Sequence, residues 1–334
     1  MTQILNFGSL NLDHVYTMPT IVRPGQTLPS TRYEIFAGGK GANQSVALAR
    51  AGARVRHAGR VGEDGRQMVD ALSQMGVDTR WIVVDSDLPT GHAIIQVEET
   101  GGENAILLFP GANHAIDDEQ ISTTLREAEQ GTILLLQNEI SRRISLLSEA
   151  KDRGLFVVFN PAPFTPDIAA TDLECVDLLI VNETEAASIC GASAKLDRHQ
   201  ANAHNHAETD PEGVPEKTLA RLKEHVPQQT QRLLTLGAKG AIFEAPGQPS
   251  IRIPAEDAGE VVDTTAAGDT FVGFYLAEVA RSGITHSGIR RSETDEQALR
   301  MASAAAALCV TIVGAQHSIP TRPRVEEFMS TRDA

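Results

Sequence analysis

The sequence predicts an α/β protein: a doubly wound, mostly parallel sheet flanked by helices, with a small second β-sheet beside it. Two observations carry that reading. Four short apolar runs, 132–137 (TILLLQ), 155–160 (LFVVFN), 177–182 (DLLIVN) and 232–237 (RLLTLG), alternate with stretches of helical character. Buried parallel strands read as continuous apolar runs, and alternation with helices implies a sheet covered on both faces, with ligands outside the carboxyl ends of its strands. Residues 11–36 and 91–109, by contrast, hold apolar pieces broken by turn formers and show no helical period. That pattern places strands outside the main sheet.

Taken in order, residues 3–9 (QILNFGS) predict the first strand, which stops at a glycine. Arg23-Pro24-Gly25 marks a turn in the segment that follows. GANQSVALARAG (41–52) has helical spacing and a glycine stop, RVRHAGRVG (54–62) reads as a strand, and GRQMVDALSQMG (65–76) as a helix closed by Gly76. GHAIIQVEE and NAILLF, joined by Thr100-Gly101-Gly102-Glu103, give a hairpin signal. After Asp269, TFVGFYLAEVARSG continues as a helix. Residues 193–217 are polar, carry His199, His204 and His206 and lack apolar periodicity, so they read as a solvated insertion rather than a metal site. No repeat or long linker divides the chain, and one domain over residues 1–334 is expected.

Composition narrows the function classes. The 334 residues, 41% of them hydrophobic, suffice for a large core. Cys175, Cys190 and Cys309 are an odd number, far apart and in apolar surroundings, which predicts buried free thiols in a reducing compartment. The start shows no secretory pattern, and the longest apolar run, 302–315, is shorter than the ~20 residues of a membrane span. A cytoplasmic protein without a membrane partner is expected. With 44 acidic against 29 basic residues and a net charge of −15, the long-range field repels polyanions, and nucleic acid is not an expected partner.

The chemistry gathers in small-residue and acidic turns. The strongest is Asp263-Thr264-Thr265-Ala266-Ala267-Gly268-Asp269. Ala266, Ala267 and Gly268 admit a ligand close to backbone N–H groups, and the helix they open adds its positive end, which suits an anion. Phosphoryl transfer requires such a feature, because negative charge on the moving group must be stabilised. Asp269 alone also fits an N-cap, but two carboxylates flanking the turn weigh against capping. Ala37-Gly38-Gly39-Lys40-Gly41-Ala42-Asn43 opens the first helix. It is not a Walker A loop, since no glycine stands five residues before Gly39-Lys40 and no Ser or Thr follows Lys40. Lys40 and Asn43 offer donors, although a plain helix-start turn has the same pattern.

Thr235-Leu236-Gly237-Ala238-Lys239-Gly240 fits either a strand-to-turn connection or a loop around a nucleotide phosphate. Asn182-Glu183-Thr184-Glu185 suits Mg²⁺ held through water, and equally a helix start with early acids. Asn11, Asp13 and Glu139 stand just after strands, where a carboxylate can accept two hydroxyls of a polyol at once.

The segments GSLNLD, PGQTL, FAGGKGANQSVALARAGA, VGEDG, PGAN, NPAP, VNETE, TLGAKG and DTTAAGD follow one another along the chain. In that order the sequence resembles the phosphofructokinase-B-type carbohydrate kinase family, specifically its ribokinase branch, over nearly its whole length. The resemblance implies a sugar-binding set of Asn11, Asp13, Gly39, Lys40, Asn43 and Glu139, with Asp269 as catalytic base also touching the sugar. It implies an anion hole from Ala266, Ala267 and Gly268. Asn182 and Glu185 fall to the ATP and Mg²⁺ region, and Thr235, Gly237 and Gly240, with Gly268 and Ser303, to nucleotide contacts. Asp263, Thr265, Cys309, Ile312, Gly314 and Ser318 correspond to the site of an activating monovalent cation, K⁺. Segments 11–37 and 91–110 correspond to a lid over the sugar, through which a homodimer is expected. The chain departs from the family pattern at Ile312-Val313, where basic residues are common, at His317, where proline is common, and at Ser303, where a histidine near the adenine is common.

The reaction implied is in-line transfer of the γ-phosphoryl group of ATP to the O5 hydroxyl of D-ribose. Alternatives are a kinase for another pentose, 2-deoxyribose or a nucleoside, and a non-catalytic sugar or nucleotide sensor on the same fold. A Rossmann dehydrogenase is disfavoured, because no G-x-G-x-x-G follows the first strand.

Overall fold

The computed structural model describes residues 1–100, 103–168, 173–196, 215–283 and 292–332. The predicted apolar runs become the centre of its larger sheet: β1 (Ile4–Phe7), β4 (Val55–Gly62), β8 (Ile133–Gln137), β9 (Phe156–Asn160), β10 (Leu178–Asn182) and β11 (Gln231–Thr235). All pair in parallel. Three strands that the pattern did not mark complete it. β5 (Asp78–Asp85) adds a parallel edge beside β4, and β12 (Ala241–Glu244) and β13 (Ile251–Ile253) extend the other side antiparallel, giving the order β13-β12-β11-β10-β9-β8-β1-β4-β5.

Side chains alternate along each strand, and the core divides accordingly. Ile4 of β1 and Ile133 and Leu135 of β8 join a cluster with helices α1 (Lys40–Arg50), α7 (Ala267–Ser282) and α8 (Ser292–Cys309). Leu5, Phe7, Leu134 and Leu136 point the other way, into a cluster with α3 (Asp118–Arg126), α4 (Arg143–Asp152), α5 (Glu183–Leu196) and α6 (Pro215–His225). This two-faced burial is why the strands read as unbroken apolar runs. α2 (Arg66–Gln74) and α9 (Arg322–Ser330) flank the first cluster through Met68, Leu72 and Val325.

The segments set apart by their irregular pattern form a second sheet, β3-β2-β6-β7. β2 (Asn11–Met18) pairs antiparallel with β3 (Arg32–Gly38) and parallel with β6 (Gly91–Glu98), and β6 forms a hairpin with β7 (Asn104–Phe109). Positions 101–102 of the hairpin turn lie outside the described residues. The 193–217 reading needs correction at its ends: 193–196 belong to α5 and 215–217 to α6, helices that the polar composition concealed. Residues 197–214, with the three histidines, lie outside the described residues. Among the described residues no helix is long and apolar enough to cross a membrane.

Candidate active site

The polar turns converge where the parallel strands end. α7 begins after Ala266, whose φ of 61° is left-handed. That conformation costs an L-residue on the order of 1 kcal/mol, and such strain concentrates at functional turns. The Ala267 N–H makes a 3.3 Å bond to the Thr264 carbonyl. Gly268 lies in the first turn of the helix, where N–H groups have no intrahelical acceptor, and a Cβ built on it meets no atom of the described residues within 4 Å. The turn is therefore partly self-bonded and partly open, a donor-rich surface with room in front of it.

Asp269 projects from this first turn and is nine-tenths buried. It does not cap the helix; its oxygens face α1 instead. Asn43 Nδ2 donates to Oδ2 at 3.0 Å and Gln44 Nε2 to Oδ1 at 2.9 Å. Burial pushes the Asp269 carboxyl above its ordinary value, against the pull of Lys40 and the two amides. Asn43 Oδ1 is buried without a hydrogen-bond partner among the described residues.

The GGKG turn that delivers α1 is dictated by crowding. A Cβ on Gly41 would lie 2.4 Å from the Ser9 nitrogen, and one on Gly38 2.0 Å from Asp13 Oδ2. Gly39 has φ 88° and lies against the Asn11 nitrogen. The close approach inferred from these glycines is thus to the chain's own backbone and to Asp13. Glu139, two residues past β8, accepts from Ser9 Oγ at 2.5 Å and from the Lys40 N–H at 3.1 Å. Lys40 sits among four acids. Burial works against its ammonium, but Asp269, Glu139, Glu185 and Asp13 together hold it above its ordinary value. Burial first, then Glu139, pushes Asp13 up to about 6, with Lys40 opposing; Glu139 is also raised, chiefly by burial. Asn11 Oδ1 accepts from Asn113 Nδ2 at 2.8 Å.

The residues given to the nucleotide lie along the neighbouring strand ends. Asn182 and Glu185 bond reciprocally: the Asn182 N–H donates to Glu185 Oε2 at 3.0 Å and the Glu185 N–H to Asn182 Oδ1 at 2.8 Å. This is a capping box opening α5, yet Glu185 is buried and raised by that burial, with Lys40 and Asp269 acting on it. The helix-start and site readings therefore both describe it. Thr235 ends β11, and Gly237 (φ 55°) and Gly240 (φ 96°) shape the tight turn after it. A Cβ on Gly240 would lie 2.0 Å from the Ile253 carbonyl, so β13 requires that glycine. Ser303 Oγ accepts from the Glu256 N–H at 3.2 Å and donates to the Pro254 carbonyl at 3.3 Å. It holds the 254–256 loop.

The two segments assigned to a monovalent cation come together. Asp263 Oδ1 accepts from the Thr265 N–H at 2.9 Å and Oδ2 from the Gly314 N–H at 2.8 Å. Burial alone would raise this carboxyl, but those bonds outweigh it and hold it below the usual range. Cys309 Sγ lies 3.0 Å from Ser318 Oγ and 3.7 Å from the Thr265 carbonyl, and the Ile312 N–H donates to the Cys309 carbonyl at 3.2 Å. Asp263 thus braces the turn with both of its carboxylate oxygens. Among the described residues no group of three or more His, Cys, Asp or Glu forms a metal cage.

Sequence reasoning passed over Ser9, Gln44 and Asn113, each of which bonds directly to a residue of the site. All three stand inside the quoted segments GSLNLD, FAGGKGANQSVALARAGA and PGAN, so the signal was their company. A lone polar residue next to a glycine turn carries no pattern of its own.

Comparison with known proteins places these features in context. Residues 1–322 match the pfkB family of carbohydrate kinases. The chain is 35% identical over 326 residues to a ribokinase of Haemophilus influenzae, covering 96% of each chain. Among solved structures it resembles ribokinase from Cryptococcus neoformans in complex with ADP, at 33% identity and a TM-score of 0.82 over 98% of this chain and 99% of that one. It also resembles Arabidopsis thaliana ribokinase complexed with ribose and ATP, at 29% identity and a TM-score of 0.80 over 98% of both.

Proposed function

The chain belongs to the pfkB family of carbohydrate kinases, and on that premise we propose that it transfers the γ-phosphoryl group of ATP to the O5 hydroxyl of D-ribose. The observation that carries this reading is Asp269: a buried carboxylate at an open helix start, turned toward Asn43 and Lys40 and away from its own helix. The proposed step is an in-line displacement. The ribose O5–phosphorus bond forms as the bond from phosphorus to the β,γ-bridging oxygen breaks, Asp269 takes the hydroxyl proton, and ADP leaves. The Gly268 N–H and the positive end of α7 face the charge on the moving group, in a site where water is scarce and such donors act strongly.

Asn11, Asp13, Asn43 and Glu139 are proposed to hold the sugar, with Asn43 Oδ1 supplying an acceptor that has no partner among the described residues. Lys40 supplies the counter-charge that lets four acids share one cleft. Thr235, Gly237 and Gly240 are the proposed nucleotide turn, and the Ser303-bound loop lies on the adenine side. With one buried acid at the α5 start and no cage among the described residues, the residues fit a Mg²⁺ that would be carried on the nucleotide phosphates and reached by Glu185 through water, the usual habit of that ion. When bound, it neutralises phosphate charge. The carbonyl-rich turns at 263–265 and 309–318 fit a weakly hydrated monovalent cation such as K⁺, which adds positive charge near the same helix end. The sheet β3-β2-β6-β7 is proposed as the lid, closing over the sugar to exclude water.

Asp269→Asn tests the assignment. It is expected to lower kcat by the ~10²–10⁴-fold of a lost general base while calorimetric ribose affinity stays within a few-fold. A variant retaining more than about a tenth of wild-type kcat removes the base from the mechanism. Comparing kcat/KM for ribose, 2-deoxyribose and adenosine fixes the acceptor.

A further inference from the structure

The base sits at the end of a buried chain of amides that runs back beneath the sheet. We propose that Gln44 is a positioning residue for Asp269: its side-chain amide fixes the direction in which the carboxylate faces the acceptor hydroxyl, and Gln137, Asn6, Ser45 and His57 behind it fix the amide. The inference rests on the reading of Asp269 as the base.

The geometry leaves Gln44 one orientation. Its Nε2 donates both hydrogens, to Asp269 Oδ1 at 2.9 Å and to Asn160 Oδ1 at 3.0 Å, and its Oε1 accepts from Gln137 Nε2 at 2.6 Å. The side chain is fully buried, so water cannot replace a lost partner. Turning the amide over would set its oxygen against two acceptors and its nitrogen against a donor, losing three bonds at once.

The order propagates. Gln137 Nε2 also donates to Asn6 Oδ1 at 3.1 Å, so Asn6 Nδ2 is left to donate to the Gly41 carbonyl at 2.7 Å and to Ser45 Oγ at 2.8 Å. Ser45 then has its hydroxyl hydrogen for His57 Nδ1, 2.8 Å away, and His57 Nε2–H donates to the Gly8 carbonyl at 3.2 Å. Burial depresses His57 to about 4, opposed by the Gly8 bond, so the ring is neutral at working pH, as this sequence of donors demands. Five polar side chains, three on strands of the sheet and two on α1, all buried and hydrogen-bonded in sequence, end on one acid.

The test compares variants in steady-state kinetics across pH, with Asp269→Asn run in parallel. Gln44→Leu removes the donor and is expected to lower kcat ten- to a hundredfold with KM for ribose and ATP within threefold. Gln44→Glu gives the sharper signature. The introduced carboxyl can donate to Asp269 only while protonated, so kcat should fall along a new descending limb as pH rises through its pKa. The titratable groups around Asp269, which are Lys40, Glu139, Glu185 and Cys309, are unchanged in that variant. Gln137→Glu, which touches no proposed ligand, should turn the Gln44 amide and also lower kcat at least tenfold at constant KM.

A loss in Gln44→Glu that is uniform across pH, or kcat within twofold of wild type in the folded variants, overturns the proposal. If Asp269→Asn is inactive while the Gln44 and Gln137 variants are not, only the positioning role fails. If Asp269→Asn is active, the base assignment itself fails. Should the variants not fold, ¹⁵N NMR of the unaltered protein decides: His57 protonated at Nε2 from pH 5 to 8 supports the chain, and an Nδ1–H ring sinks it.

Discussion

Asp13 shows most directly what the cleft asks of a single residue. Burial and the neighbouring Glu139 bring it to about 6 in the sugar-free protein, so it is half protonated near that pH. If it accepts hydrogen bonds from sugar hydroxyls, binding favours the ionised form and lowers that value. Ribose binding should then release a proton between about pH 5 and 7, and affinity should weaken by up to about tenfold per unit as pH falls below 6. Calorimetry in buffers of different ionisation enthalpy measures the release, and Asp13→Asn should abolish it. Proton uptake would mean that Asp13 binds as a donor. At this scale the sequence marked acids that the fold gathers around Lys40: Glu139 two residues past β8, and Asp269 in the first turn of α7; Asp13, expected just after a strand, lies inside β2. The sequence was opaque at Asn6 and Gln137, which interrupt apolar runs and look like noise until the partners Gln44 and Ser45 are seen across the helix.

At the level of elements, the glycines separate into two kinds that the sequence cannot tell apart. Gly41 is packed so tightly that a Cβ would meet the Ser9 nitrogen at 2.4 Å and the Gly8 carbonyl carbon at 2.5 Å. A Cβ on Gly268 meets nothing within 4 Å among the described residues. Gly41→Ala should therefore destabilise by the ~1–3 kcal/mol of an overpacked core. Gly268→Ala should leave stability unchanged or slightly higher, since alanine is the better helix former, while lowering kcat at least tenfold, because the methyl enters the space before the α7 start. Thermal melts beside kinetics read both. A Gly268→Ala enzyme with full activity would place the moving phosphate elsewhere. Strands β8 to β11 were visible in advance because burial on both faces forces continuous apolar runs. Edge strand β5 and the short β12 and β13 escaped because polar residues interrupt or shorten their runs.

The whole molecule poses one remaining physical question: what covers the small sheet. Register puts Asn11, Asp13, Ala93 and Leu108 on one face, toward the cleft, and His14, Tyr16, Ile94, Leu107 and Phe109 on the other. That second face is an aromatic ladder, with Tyr16 stacked on Tyr33 at 4.8 Å, His14 on Tyr33 at 6.1 Å and His92 tilted to Phe109 at 5.1 Å. Yet Tyr33, Ile35, Leu107 and Phe109 stay exposed, Leu107 at 67%. A contiguous apolar face of this kind marks an interaction surface, and the homodimer expected through the lid would cover it with the same face of a second copy. A stable interface buries roughly 800 Å² per partner, about the reach of a four-stranded sheet. Leu107→Lys, on edge strand β7 of the outer face, should shift the protein to monomer in light scattering. It should also raise KM for ribose severalfold, since an unsupported lid closes less firmly, with a smaller change in kcat because Asp269 and the α7 start are untouched. Leu108→Lys, one residue away but facing the cleft, should leave the assembly intact and impair sugar binding directly. If Leu107→Lys remains dimeric, the partner lies on another surface and the exposed ladder needs a different occupant.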